Sequence, residues 1–204
     1  VCAGETVAFT DLSTNTPTSW AWTFTGGTPS NSTAQNPTIT YNTPGSYAVT
    51  LTATNASGSD PETINGYITV NALPTVTASS TPPGGTVCSG TSVTLNGNGA
   101  TSYLWTGGVT DGVPFAAVAT TTYTVTGTDG NGCENTDVIT ITVNGLPTVS
   151  ANSNPLSGMV CPGEQVTLSG GGALSYIWTG GVTDGVAFTP VSTTTYTVTG
   201  TDGN

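Results

Sequence analysis

Apolar and hydroxyl-bearing residues alternate along much of this chain. Trp20-Ala21-Trp22-Thr23-Phe24, Tyr123-Thr124-Val125-Thr126 and Ile139-Thr140-Ile141-Thr142-Val143 each put every second large side chain on one face. That is the period of a half-buried β-strand. Between residues 75 and 143 the pattern predicts strands at Thr75–Ser80, Ser92–Asn96, Ser102–Thr106, Thr122–Thr128 and Asp137–Val143, with a weaker one near Val113–Val118. Thr-Pro, Asn-Gly and Gly-Gly clusters separate these runs, as tight turns require. No run has a helical period, so no helix is predicted. The longest apolar stretch, near Val113 to Ala119, is short and contains Pro114, whereas a helix needs about 20 apolar residues to span a bilayer.

The pattern recurs. Leu73-Pro74-Thr75-Val76 returns as Leu146-Pro147-Thr148-Val149, and residues 73–131 match residues 146–204 at 42 of 59 positions without a gap. Cys88 maps to Cys161, Trp105 to Trp178, Asp111 to Asp184 and Tyr123 to Tyr196. Residues 1–72 follow the same plan more distantly: Val1-Cys2-Ala3-Gly4 parallels Val87-Cys88-Ser89-Gly90, and Trp20 and Trp22 take the places of Tyr103 and Trp105. A unit of this length suits a small β-sandwich rather than a solenoid coil. The expected organisation is therefore all-β, with three tandem sandwiches at 1–72, 73–145 and 146–204 arranged head to tail as a rod. The first lacks its leading strand and the last its trailing strand, so the segment reads as cut from a longer array or completed by another chain.

Composition narrows the chemistry. The 204 residues include no Lys, Arg or His and 11 acidic residues, for a formal charge of −11. Without imidazole, ammonium or guanidinium there is no Ser-His-Asp triad, Lys Schiff base or phosphate clamp, so an enzyme is not expected. Nucleic acid and anionic membrane surfaces would be repelled. The chain has 46 Thr against 28 Gly, so hydration rests on hydroxyls and amides, and Thr also favours strands. No catalytic, cofactor or metal-binding residue is expected.

Trp20, Trp22, Tyr47, Tyr103, Trp105, Tyr123, Tyr176, Trp178 and Tyr196 are the expected aromatic core. Read functionally, such aromatics form a sugar-stacking platform; read structurally, they are the inward face of a central strand, where a sandwich buries a Trp. Tyr47, Tyr123 and Tyr196 each stand two positions before a Val, where a tyrosine corner belongs.

The run Ser19-Trp20-Ala21-Trp22-Thr23-Phe24-Thr25-Gly26-Gly27, followed by Asn36-Pro37-Thr38-Ile39-Thr40-Tyr41 and Pro44-Gly45-Ser46-Tyr47-Ala48-Val49, resembles a PKD domain. The later repeats, with Tyr123-Thr124-Val125-Thr126-Gly127-Thr128-Asp129-Gly130-Asn131-Gly132-Cys133, resemble Ig-like repeats of large secreted surface proteins of Bacteroidetes. The resemblance implies export through a type IX system and an adhesin-like, extracellular role at the cell surface or in a secreted filament.

Four cysteines in such a chain invite disulfides, since no Cys-x-x-Cys spacing and no His exist to complete a zinc shell. Pairing Cys88 with Cys133 inside one repeat competes with pairing between repeats. In an Ig-like sandwich the usual bridge joins mid-strand positions, here held by Leu95 and Val125. Cys88 and Cys133 fall at opposite ends, about 30 Å apart at a strand rise of about 3.3 Å per residue, and a disulfide needs Cα atoms within about 7 Å. The expectation is an inter-domain pair of Cys2 with Cys133, leaving Cys88 and Cys161 for partners beyond the segment.

The leading functional expectation is a rigid extracellular stalk or filament of a bacterial adhesin, with neighbouring repeats or identical chains as partners. The alternative is a carbohydrate-binding accessory module that meets surface glycans through a surface Tyr such as Tyr67 or Tyr41. Asp129, Asn131, Glu134 and Asp137 offer oxygen ligands near one turn for calcium, against the plainer reading of a hairpin. Asn31-Ser32-Thr33 and Asn55-Ala56-Ser57 are N-linked glycosylation sequons, and the many Thr and Ser could carry O-linked sugars.

Overall fold

Residues 1–203 are described in the computed structural model; Asn204, the last position of the repeat match, lies outside them. The first repeat forms β1 (Thr6–Ala8), β2 (Ser19–Phe24), β3 (Gly27–Thr28), β4 (Asn31–Ser32), β5 (Thr38–Tyr41), β6 (Gly45–Asn55) and β7 (Gly58–Val70). The second forms β8 (Thr77–Thr81), β9 (Thr86–Cys88), β10 (Thr91–Asn98), β11 (Ser102–Trp105), β12 (Phe115–Ala117), β13 (Thr121–Thr128) and β14 (Glu134–Asn144). The third forms β15 (Ser150–Asn154), β16 (Val166–Gly171), β17 (Ser175–Trp178), β18 (Ala187–Phe188) and β19 (Val198–Thr201). The chain is all-β, as its alternation implies, and gathers into two compact units. One comprises 1–81, 94–113 and 122–139, the other 82–93, 114–121 and 140–204, with the second repeat contributing to both.

In the first unit, β4-β2-β6-β7 and β1-β5-β3 are the two sheets of a sandwich. Alternation along β2 buries Trp22 and Phe24 and leaves Ala21 and Thr23 outside, opposite Leu51 and Val49 of β6. Trp22 and Phe24 stack with centroids 5.6 Å apart, and Phe9 lies 4.7 Å from Phe24. Ile39 and Tyr41 of β5 join the same core and are fully buried. Burying a side chain of this size stabilises by about 1.5–3 kcal/mol, so β2 and β5 carry much of what holds the sandwich closed. In the same unit, β11 pairs antiparallel with β13, Trp105 opposite Val125, and residues 94–98 of β10 pair with β8.

The second unit holds the third repeat, whose sheets are β15-β16-β18 and β17-β19. Val166, Leu168 and Trp178 form its buried centre, with Val160, Phe188, Tyr196 and Val198 half-buried against it. Here too Thr142–Asn144 of β14 run parallel to Thr86–Cys88 of β9.

Three local expectations need correction. The strand predicted to reach Thr106 ends at Trp105, and Thr106–Gly108 and Thr179–Gly181 form single 3₁₀ turns where no helix was expected. Two consecutive glycines after a Trp let the chain tighten there, and 3₁₀ geometry suits such short pieces. The weak strand near Val113–Val118 shrinks to β12. A strand was also missed: β9 has only three residues, too few to show a period, and exists because β14 offers it a partner.

Candidate functional site

Cys2 and Cys133 are joined by a disulfide, S–S 2.01 Å and Cα–Cα 5.5 Å, across 131 positions of sequence and within the first compact unit. It therefore links a residue of the first repeat to one of the second. Each half-cystine is set in a turn dictated by its neighbours.

On one side the Cys2 amide donates to Glu5 Oε2 at 2.7 Å and the Glu5 amide to the Cys2 carbonyl at 3.0 Å. Gly4 closes this turn at φ +91°, and Gly90 and Gly163, also two residues after a Cys, have φ +86° and +92°. A Cβ is disfavoured in this left-handed region, which explains the Cys-x-Gly spacing of all three repeats. Cys161 repeats the contact, its amide donating to Glu164 Oε2 at 3.2 Å. Cys2 also lies in a parallel bridge with Asn71, fixing it beside the end of the first repeat.

On the other side Asp129 organises the turn between β13 and β14. Its Oδ1 accepts the amides of Asn131 at 2.8 Å and Cys133 at 2.9 Å, while its own amide donates to the Cys133 carbonyl. Those N–H donors, that of Cys133 foremost, hold the Asp129 carboxyl below its ordinary 3.8. The chain that leaves the first repeat is held nearby. Asn135 Nδ2 donates to the Pro74 carbonyl at 3.0 Å, and Asp137 Oδ2 accepts the Ala78 amide at 2.8 Å, the main cause of a lowered Asp137 carboxyl. Pro74 is buried and fixes φ at the linker.

Of the four residues weighed as calcium ligands, the three carboxylates thus have other engagements. Asp129 binds its own turn, Glu134 Oε1 accepts from Thr128 Oγ1, and Asp137 binds Ala78. Among the described residues no three acidic, Cys or His side chains converge as a metal would need.

Cys88 is half-buried at the end of β9 and Cys161 is exposed. Of the nine expected core aromatics, Trp22, Trp105, Tyr123 and Trp178 are buried, and Trp20, Tyr47, Tyr103, Tyr176 and Tyr196 are half-buried. Tyr47 donates its hydroxyl to the Thr43 carbonyl at 2.8 Å. Tyr103 and Tyr176 donate to the carbonyls of Ala100 and Ala173 and accept the amides of the same residues. Tyr67 is 54% exposed, but Tyr41 is fully buried and cannot serve as a surface ligand for sugar. Its position at the inward end of β5 decides that.

Sequence reasoning missed the acceptors of the core indoles. Trp105 Nε1 donates to Asp111 Oδ1 at 2.9 Å and Trp178 Nε1 to Asp184 Oδ1 at 2.8 Å, and each carboxylate oxygen also takes a backbone amide, from Gly97 or Gly170. The signal was present in the identical six-residue spacing of both pairs. In the first repeat Trp20 Nε1 donates instead to Asp11 Oδ2 at 2.7 Å. With no cationic side chain in the chain, carboxylates are stabilised by amide and indole N–H groups, charge-assisted bonds stronger than neutral ones.

Residues 1–66 match the family model of the PKD domain. No curated protein matches the chain. Among solved structures the chain is similar to one described as the structure of an amphioxus IgVJ-C2 molecule, with 16% identity, 70% of this chain and 98% of that chain covered, and a TM-score of 0.26. A PKD-type repeat and a disulfide together are features of an extracellular-type structural module. PKD domains typically serve binding or structural roles rather than catalysis. No described helix is long and apolar enough to cross a membrane.

Proposed function

We propose that this segment is part of a stiff extracellular stalk or filament of a bacterial surface adhesin, built to carry tension. The observation behind this reading is the Cys2–Cys133 disulfide. Tension entering at the amino end reaches Cys2 and passes through the two sulfurs to Cys133, so residues 3–132 lie outside the force path. Neither the first repeat nor most of the second can be unravelled by pulling while that bond is intact. Its neighbours in this reading are further repeats or identical chains, and a charge of −11 without a cation keeps nucleic acid and anionic lipid away.

Single-molecule pulling on the two ends tests this directly. The oxidised chain should extend less than the reduced chain by about 450 Å, the reach of some 130 residues at about 3.3–3.6 Å each. Equal extension with and without reductant would remove the mechanical argument. An adhesin role further requires that the parent cells lose attachment when the segment is deleted.

A second reading, a carbohydrate-binding accessory module, is supported by Tyr67. It lines an open groove of the first repeat with Leu12, Glu62 and Ile64, an exposed aromatic of the kind on which a sugar face stacks. Glycan binding abolished by Tyr67→Ala, with unchanged unfolding, would favour it.

A further inference from the structure

The run Ser59-Asp60-Pro61-Glu62 holds the chain's one Asp-Pro bond. It lies in β7, whose residues 58–67 are all exposed and which stands at the edge of its four-stranded sheet. The ladder sets Asp60 opposite Ala53 and Pro61 opposite Thr52 of β6. Pro61 has no N–H to give that ladder, so its nitrogen can part from Asp60 without taking a strand hydrogen bond with it. The same bond lies inside the loop that the Cys2–Cys133 disulfide closes across 131 positions. Cys133 is fully buried and Cys2 is 9% exposed, which shields both sulfurs from thiols in solution.

We infer that Asp60–Pro61 is a self-cleavage site whose cutting leaves the molecule in one covalent piece. The reaction needs water alone. An oxygen of the Asp60 carboxyl attacks the carbonyl carbon of its own residue and closes a cyclic anhydride. The bond from that carbon to the Pro61 nitrogen breaks, and the carboxyl proton passes to the nitrogen, which leaves as a secondary amine. Proline suits the leaving role because its amide is tertiary and less firmly held than an ordinary peptide bond. Water then opens the anhydride, giving back the Asp60 side-chain carboxyl and a new carboxyl at the cut end. Nothing is oxidised or reduced. Acid promotes the cut by supplying the protonated carboxyl and the protonated leaving nitrogen.

No side-chain cation holds Asp60 ionised, since the chain has none. β6 contributes only Tyr47 as a titratable group, and β7 itself contributes Glu62 and Tyr67. The segment after β1, where Phe9 meets Tyr67, contributes Asp11, already bonded by Trp20 Nε1 and Gln35 Nε2. The Val1 amine donates to the Thr69 carbonyl, well along β7 from Asp60. After the cut, residues 1–60 hold Cys2 and the remainder holds Cys133, so one disulfide joins them. Beyond the cut β7 keeps its pairing with β6, and Ile68 and Val70 keep their places in the core. The inference needs the disulfide and not the stalk reading.

The test warms the oxidised 204-residue protein in dilute acid and follows it by mass spectrometry and by denaturing gels with and without reductant. The expected result without reductant is one species heavier by a single water, which reduction resolves into residues 1–60 and 61–204. Asp60→Glu keeps the charge but needs a ring one atom larger, and Pro61→Ala replaces the leaving nitrogen. Both variants should stay whole under conditions that cut the wild type, and Cys2→Ser should release the two pieces without reductant. A first cut elsewhere in the chain, Asp60→Glu cut as fast as wild type, or wild-type pieces that separate without reductant would overturn the inference. An intact protein under conditions that fully cut a free peptide of residues 55–66 would overturn it as well.

Discussion

Asp111 Oδ1 receives both the indole N–H of Trp105, at 2.9 Å, and the backbone N–H of Gly97, at 2.7 Å. One oxygen thus ties the central Trp of β11 to β10 and to the loop that carries Asp111. Asp111→Ala leaves two donors without this acceptor and should cost about 2–4 kcal/mol, since each unmet donor costs about 1–3. Asp111→Asn keeps a carbonyl acceptor and should cost about 1 kcal/mol, the loss of charge assistance. Urea unfolding followed by Trp fluorescence measures both. Equal costs for the two variants would show that the charge and the acceptor geometry do not separate as argued.

Two glycines separate backbone strain from steric fit. Gly90 and Gly99 have nearly the same φ, +86° and +88°. A Cβ on Gly90 meets nothing within 4 Å, but one on Gly99 would collide with the Thr75 carbonyl oxygen. Gly90→Ala should therefore cost about 1–2 kcal/mol, the price of the left-handed region alone. Gly99→Ala must also displace the chain at Thr75 and should cost at least about 3 kcal/mol in total. Similar losses in denaturant unfolding would contradict this.

The Asp129 carboxyl lies below its ordinary value because the Cys133 amide and its neighbours bond the charged form. A folded pKa below the unfolded one means that its contribution is whole above about pH 4 and is lost as pH falls through the folded value. Relief of repulsion among 11 carboxylates acts in the opposite direction on the whole curve, so the comparison must be with Asp129→Asn. The stability gap between wild type and this variant at pH 7 should close as pH falls below 3.8 and through the folded value. A gap that persists or widens in acid would show that the Asp129 bonds are not charge-dependent.

Tyr41 is fully buried and its hydroxyl has no hydrogen-bond partner among the described residues. Burial pushes its pKa above the ordinary 10.0. Tyr41→Phe should be neutral or stabilising by about 1 kcal/mol at pH 7, because an unpaired buried hydroxyl is removed. A raised folded pKa means stability is lost as pH climbs from the unfolded value, so the variant's advantage should grow above about pH 10. Destabilisation by Tyr41→Phe at neutral pH would reveal a bond that this account lacks.

What could be read in advance follows physical scale. Alternation in Trp20–Phe24 and Thr122–Thr128 is a local signal, and it delivered the strands and the all-β class because burial on one face of a pleated strand imposes that period. β9 was invisible because its existence depends on β14, more than 50 residues away. Tyr41 was misread as a surface residue because an isolated aromatic in a short strand does not disclose which sheet faces it. The Trp105–Asp111 and Trp178–Asp184 bonds were legible only as a shared spacing, since which carboxylate meets which indole is decided by the 3₁₀ turn between them. In the site itself, the Cys-x-Gly turns are written in the sequence, whereas the support from Asn135 and Asp137 to the linker is tertiary.

The disulfide between Cys2 and Cys133 organises the whole account, closing a loop of 131 residues that loop-entropy arguments value at about 5 kcal/mol. Mapping peptides from the unreduced protein by mass spectrometry tests it most directly, with pepsin as the protease because a chain without Lys or Arg has no tryptic site. The account predicts a peptide containing Cys2 linked to one containing Cys133, lost on reduction. A link between Cys88 and Cys133 would contradict it.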